Sequence, residues 1–512
     1  VVLQDTRGRY ASDGAFDPFA DERDDGADTI AWVTGQPFSD GSVCMYGSSY
    51  VGATQLLAAG GAPPALRAVA PAVTASEYLE GWTYQGGALQ LGFALHWALG
   101  SLGGGTVMTR LMRGEDLGAI PAELNRTLGD MWPAYERLPL TDQQLLQQLC
   151  PAYFDWLQRP QPDERWRALA PSERYAQTAV PALHIGGWSD IFIDGTLRNY
   201  AGLRAHAATA EARAGQRLLV GPWAHGNPHD VVGELDFGPG ASQLALDMTA
   251  VHLDFFERVL SGRGFDTPPV RIFVMGADRW RDEDEWPIAR TRHERLHLRG
   301  AGRANGAGGD GRLAPEPADT SEPPDRYVYD PRQPVPTVGG ATLMPSPLIG
   351  KHSGPRDQRE VEARRDVLVY TSDPLPRDTE VTGTVTATLT VASSAVDTDF
   401  TAKLVDVHPD GRAISVVDGI QRARYRDGLD RPRLLEPGRP ERLTVVLGAT
   451  SMLFRAGHRI RLEVSSSNFP RFDRHPNVGG DLHAVTDADL VPAQQTVFHD
   501  AERPSYLELP VV

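Results

Sequence analysis

The sequence predicts an α/β domain interrupted by a helical insert and followed by an all-β domain, and three observations carry that reading. Apolar strand signals alternate with helical patterns over residues 1–75 and again over 172–290, as in a parallel sheet covered by helices. Between 76 and 171 the strand signals vanish and helical periodicity takes over, which marks an inserted cap. From 291 to 512 period-two runs, such as those at 384–391 and 459–464, are separated by Asp-Gly and Pro/Gly turns, the pattern of a β-sandwich of jelly-roll type.

Taken in order, residues 1–4 (Val-Val-Leu-Gln) read as a strand, and an acidic amphipathic stretch through Ile30, Trp32 and Val33 reads as a helix ended by Gly35. Asp40-Gly41 turns the chain into an apolar strand starting at Val43, and 65–70 supply the next strand. Inside the insert, Leu145, Leu146 and Leu149, then Tyr153, Trp156 and Leu157, are spaced as buried helical stripes. Strands of the first kind return at 181–185 and 217–220. Each ends in a short Gly-containing loop at the C-terminal edge of the sheet, where open α/β folds place their ligands. A helix over 243–260 and a strand over 270–275 complete the first domain. The Gly-rich stretch 300–311 reads either as an interdomain linker or as a long hairpin loop.

Composition narrows the partners. At 512 residues the chain exceeds what one hydrophobic core supports, and 41% hydrophobic with 23% charged content is that of a globular protein. A formal charge of -17 argues against nucleic acid or an anionic membrane as a partner, because both need clustered Lys and Arg. Residues 81–109 carry no Asp, Glu, Lys or Arg, but eight glycines with Gln85, Gln90 and His96 fit a buried helix and loop better than a membrane span. With only Cys44 and Cys150, no disulfide framework is expected; a reducing, cytoplasmic setting is compatible. No Met precedes the opening apolar residues, so the sequence reads as a fragment lacking its start. Oligomeric state stays open, a homodimer included.

The chemistry concentrates at Gly47-Ser48-Ser49-Tyr50-Val51-Gly52, where an apolar strand runs through a tight turn into a helical pattern that Gly60-Gly61 stops. Such a turn lifts one serine oxygen above the sheet edge, and it needs small residues on both sides of Ser49. The adjacent helix N-terminus favours an oxyanion. The plain alternative is a structural strand-to-helix turn. A serine hydroxyl is a poor nucleophile near neutral pH, so it needs a base and a carboxylate to orient that base. Asp190 follows Gly186-Gly187-Trp188-Ser189 at the end of one strand signal, and His225 lies in Gly221-Pro222-Trp223-Ala224-His225-Gly226 at the end of the next. Asp194 is the competing acid, but its position places it in the following helix. A metal reading of His225 with His229 needs both on one helix face, which Pro222 and Pro228 oppose; no metal and no cofactor are expected.

These segments resemble the CocE/NonD hydrolases, the bacterial cocaine esterase family, grouped with the X-prolyl dipeptidyl peptidases and α-amino-acid ester hydrolases. Besides the motifs above, Gln4-Asp5-Thr6-Arg7-Gly8, Trp280-Arg281-Asp282-Glu283, the run 394–400 and Ser465-Ser466-Ser467-Asn468-Phe469-Pro470 match, so the resemblance spans nearly the whole chain. It implies an α/β-hydrolase domain over 1–75 and 172–290 with its first strands missing, a helical cap over 76–171 and a jelly roll over 291–512. It further implies a triad of Ser49, Asp190 and His225, with the Tyr50 backbone N–H as one oxyanion donor. By similarity Trp82, Trp97 and Phe192 would line an acyl pocket that Leu343 and Met344 would close. The family's second oxyanion donor, a tyrosine hydroxyl, belongs to a loop upstream of residue 1. Its loss would weaken transition-state stabilisation by about 2.7–4 kcal/mol.

The expected function is hydrolysis of a small-molecule carboxylic ester, or an activated amide, through an acyl-enzyme. An X-Pro dipeptidyl peptidase or α-amino ester hydrolase would need carboxylates to grip an ammonium group. Ile191 and Phe192 follow Asp190 instead, leaving Glu77 and Glu80 as grips. A non-catalytic carbohydrate-binding protein is the remote alternative.

Overall fold

The computed structural model describes residues 1–344 and 353–512. Its first sheet is built around the turn that carries Ser49. Helix α1 (Glu22–Thr34) is capped by Gly35, whose N–H returns to the Trp32 carbonyl while the Gln36 N–H returns to that of Val33. Strand β1 (Val43–Ser48) leads into α2 (Tyr50–Gly60), and β2 (Leu66–Ala72) then runs parallel to β1 with Ser48 opposite Ala72. Residues 1–4 are not a strand: Val1 and Leu3 are exposed, and apolar composition alone does not make a strand of a segment that forms no ladder. β1 stands at one end of the strand order, and Tyr46 within it and Val51 just after it are more than half exposed.

The segment that follows is mainly helical. Helix α3 (Leu91–Trp97) continues through one π-helical turn into α4 (Gly104–Met112), so most of the uncharged stretch seen in the sequence becomes a largely buried rod. Short helices at Gln144–Leu149 and Ala152–Gln158 bury Leu145, Leu146 and Leu149, then Tyr153, Trp156 and Leu157. A two-residue hairpin, Tyr84–Gln85 with Ala88–Leu89, interrupts the helical pattern. No helix among the described residues is long and apolar enough to cross a membrane.

The chain then re-enters the sheet as β3 (Leu183–Ser189), α5 (Ile193–His206), β4 (Arg217–Ala224), α6 (Met248–Ser261), β5 (Val270–Val274) and β6 (Arg279–Glu283). Strand order follows the chain from β1 to β6, parallel as far as β5, with β6 antiparallel at the far edge. Two readings shift. Gly186–Ser189, expected as loop, prolongs β3, all of which is buried, and Gly221–Ala224 prolongs β4 in the same way. Glycine-rich sequence resembles a loop locally, but a central strand flanked on both sides supplies every backbone partner. The helix expected over 243–260 starts at Met248, where the Asp247 carboxylate caps the Ala250 N–H.

The C-terminal part is an eleven-stranded β domain: β7 (Arg292–Arg299), β8 (Arg312–Ala314), β9 (Asp325–Tyr329), β10 (Leu368–Thr371), β11 (Thr379–Ser393), β12 (Asp399–Val407), β13 (Ala413–Arg422), β14 (Glu441–Phe454), β15 (Arg459–Ser465), β16 (Ala493–Phe498) and β17 (Tyr506–Val511). The Gly-rich stretch 300–311 joins the antiparallel pair β7 and β8, so it is a hairpin loop. β11 pairs with β14, while β12 lies between β13 and β15. Alternate residues of β11, among them Val381, Val385, Ala387 and Leu389, face Phe400, Leu404, Leu462 and Val464 across one continuous core.

Backbone contacts tie the domains together. Met275 exchanges hydrogen bonds with Ser451 and Leu453 at 3.0 and 2.8 Å, and the Arg422 N–H donates to the Gly86 carbonyl at 2.8 Å. Beneath that last bond the fully buried Arg422 guanidinium lies 2.9 Å from both Asp399 and Asp473, and the Asp473 carboxylate accepts the Leu89 N–H at 2.8 Å. One buried cation thus joins two parts of the β domain to the hairpin of the helical segment.

Candidate active site

Three strands deliver three side chains to one edge of the sheet, each as the residue immediately after its strand: Ser49 after β1, Asp190 after β3 and His225 after β4. Ser49 is held at φ 59° and ψ -123°, a conformation rare for a non-glycine residue. Its N–H donates to Ala72 at 2.9 Å, and its carbonyl accepts from Gly52 and Ala53, so the turn is pinned from both sides. The neighbouring glycines are needed for space. At Gly47 (φ 146°) a Cβ would lie 2.5 Å from Val51 Cγ1, and at Gly52 it would lie 2.9 Å from the Ala72 carbonyl oxygen.

Nε2 of His225 is 3.2 Å from Ser49 Oγ, and its Nδ1 is 2.8 Å from Asp190 Oδ2. An ionised carboxylate can only accept, so the ring proton belongs on Nδ1 and the lone pair of Nε2 faces the serine. Asp190 is completely buried, and its Oδ1 accepts the Phe192 N–H at 2.7 Å. His225 is 8% exposed. Tyr50 opens α2, so its backbone N–H has no acceptor within that helix. The Tyr50 ring stacks on Phe19 at 4.7 Å and is fixed by its hydroxyl, which donates to Glu22 and accepts the Phe19 N–H.

Above this edge the aromatic residues form one cluster. Trp82 and Phe192 stack at 4.2 Å with 7° between their planes, Trp97 meets Trp82 edge-on at 5.2 Å, and Phe192 sets its edge against the His225 ring at 5.3 Å. Leu343 packs against the same cluster, and Met344 lies against α3 at Gly92. Sequence reasoning missed Phe19 and Phe93, each of which touches both tryptophans. Helical spacing from Trp97 was the available signal for Phe93, whereas Phe19 arrives from an irregular segment with no periodic cue.

The competitors lie elsewhere. Asp194 sits in α5 and accepts the Ala449 N–H of β14; burial raises its pKa. His229 is exposed. Glu77 is paired with Arg198, and Glu80 accepts the Gly86 N–H at 2.9 Å, with burial pushing its pKa up to about 7. Cys150 is buried and Cys44 half-buried, both unpaired, and burial raises both thiols to about 11.

Residues 1–227 match the family model for X-Pro dipeptidyl-peptidase (S15 family), and residues 263–508 match that for the X-Pro dipeptidyl-peptidase C-terminal non-catalytic domain. The chain is 40% identical to cocaine esterase of Rhodococcus sp. (strain MB1 Bresler), over 100% of this chain and 88% of that protein. Among solved structures, an aminopeptidase from a marine-sediment Thaumarchaeota archaeon superposes with a TM-score of 0.83 at 25% identity, covering 99% of this chain and 84% of that one. An α-amino acid ester hydrolase shares the fold, with a TM-score of 0.80 at 24% identity over 99% and 84%. The full-length match to cocaine esterase, together with both domain matches, places the chain in the CocE/NonD hydrolase family, as a serine ester hydrolase.

Proposed function

We propose that this chain hydrolyses small carboxylic esters through an acyl-enzyme formed on Ser49. The supporting observation is the relay from the strained Ser49 through His225 to the buried Asp190, at 3.2 and 2.8 Å. His225 takes the Ser49 proton through Nε2 as Oγ attacks the carbonyl carbon. The positive charge that develops on the ring is stabilised by Asp190, which also fixes its orientation. The Tyr50 N–H, at the positive end of α2, holds the oxyanion. When the tetrahedral adduct collapses, His225 returns the proton to the leaving alcohol, then activates the water that releases the acid.

Trp82, Trp97 and Phe192 present flat apolar faces and edges beside the imidazole, so the acyl group is compact and apolar or aromatic. A peptidase or α-amino ester reading draws on the S15 match and on the aminopeptidase likeness. The residues weigh against it, because Glu77 is neutralised by Arg198 and the residues that follow Asp190, Ile191 and Phe192, are apolar. Release of nitrophenol from acetyl and benzoyl p-nitrophenyl esters, set against an X-Pro p-nitroanilide, tests the choice. The ester reading expects turnover on the esters with benzoyl preferred; faster turnover on the anilide would replace it with the peptidase.

A further inference from the structure

Away from the serine, the β domain brings together three side chains that ligate metals. Asp406 is the penultimate residue of β12, His408 opens the turn into β13, and His458 immediately precedes β15, which pairs with β12. Both histidines are set by their backbones: His408 exchanges turn hydrogen bonds with Arg412 and Gly411, and His458 bonds Arg455 and Leu375. His458 Nδ1 lies 2.9 and 3.0 Å from the two Asp406 oxygens, and His408 Nε2 is 3.4 Å from Oδ2. The imidazole centroids are 4.4 Å apart, Asp406 is 1% exposed, and one ligand atom from each residue falls within 4.8 Å of the others.

We propose that Asp406, His408 and His458 bind a divalent transition-metal ion, zinc by their chemistry, with a water completing the shell. Zinc bonds to imidazole nitrogen and carboxylate oxygen run about 2.0–2.2 Å, so ligands around a tetrahedral centre stand roughly 3.4 Å apart. The His408 to Asp406 separation already has that value, and the His458 contact needs to open by about half an ångström. Two imidazoles and one carboxylate suit zinc, cobalt, nickel or copper rather than magnesium or calcium, which prefer all-oxygen shells. A single divalent ion between the buried carboxylate and the two imidazoles satisfies all three groups at once.

One neighbour opposes the ion. Arg412 Nη2 is 3.4 Å from His408 Nδ1 and must turn away when Nε2 takes the metal and Nδ1 carries the proton. Its partner Asp410, 2.9 Å from Arg412 Nε, is exposed and can move with it. The ion would clamp the β12–β13 turn to the start of β15. The opposite end of β12, at Asp399, meets the Arg422 that reaches Gly86; seven residues of strand, roughly 23 Å, separate the two ends. The ion would thus brace the end of β12 remote from the helical segment, with its water position left open to exchange.

Calorimetric titration of the full chain with zinc, and the visible absorption of added cobalt, test this. Expected are one zinc equivalent, tetrahedral cobalt bands and a raised melting temperature. His408→Ala and His458→Ala should each weaken binding at least about tenfold, and Arg412→Ala should tighten it. Ester turnover and circular dichroism report that the variants fold. His408, on a turn, carries the test if the more buried Asp406→Asn does not fold. Absence of saturable binding would overturn the proposal, as would an equivalent that survives both histidine changes.

Discussion

Replacing Asp190 with Asn keeps the size of the side chain but removes one acceptor. Two donors converge on this fully buried carboxylate, the Phe192 N–H at 2.7 Å and the His225 Nδ1 at 2.8 Å. An amide offers a single oxygen, so one donor must lose its partner. If the oxygen stays on Phe192, the amide NH₂ faces the ring, Nδ1 becomes an acceptor, and the proton moves to Nε2, where it points at Ser49 Oγ. The base is then gone. The flipped amide would keep the tautomer but leave the Phe192 N–H buried against another donor, at about 1–3 kcal/mol, so the first arrangement prevails. The same substitution in serine hydrolases of this logic lowers kcat by about 10⁴, or about 5.4 kcal/mol of barrier. Steady-state kinetics on p-nitrophenyl acetate, beside thermal unfolding, should show that loss with KM and melting temperature little changed. A kcat within about tenfold of the parent would refute the assignment of Asp190 as the orienting acid.

Other perturbations follow from the same geometry. Gly47→Ala places a Cβ 2.5 Å from Val51 Cγ1 at φ 146°, so it should lower stability by about 1–3 kcal/mol and kcat with it; an unchanged melting temperature would show that the turn has slack. Glu80 is half-buried, and desolvation of its carboxyl raises its pKa from 4.5 to about 7, so the folded state holds the extra proton between those values and stability falls as pH rises through them. Glu80→Gln should flatten that part of the stability profile measured by urea unfolding, and an identical slope would rule Glu80 out as its source. Arg422→Met leaves Asp399 and Asp473 buried without their cation, which should destabilise by about 3–5 kcal/mol in denaturant melts; a loss below about 1 kcal/mol would mean the carboxylates find other partners.

Much of the site could be read from the sequence because its requirements are local. A strand, a glycine on each side of Ser49 and a following helix are fixed by a dozen neighbouring residues, and Asp190 and His225 each end a run of strand-forming residues. The helix stop at Gly35 was legible for the same reason. What escaped depends on partners distant in sequence. Residues 1–4 look like a strand by composition but join no ladder among the described residues. Gly186–Ser189 looks like a loop but becomes strand because β2 and β4 flank it. The antiparallel β6 carries Arg279, Arg281 and Asp282, which have little apolar alternation, and it is set by pairing with β5. Arg422 gave no sign of burial, since an arginine is accommodated inside only when two carboxylates converge on it, and these come from Asp399 and Asp473.

Whether Ser49 becomes acylated decides the mechanism. Incubation with a fluorophosphonate, followed by peptide mass spectrometry, should find one adduct, on Ser49, formed at the rate at which ester turnover disappears and absent from Ser49→Ala. An adduct on Ser48, or ester turnover that persists in Ser49→Ala, would show that another group is the nucleophile.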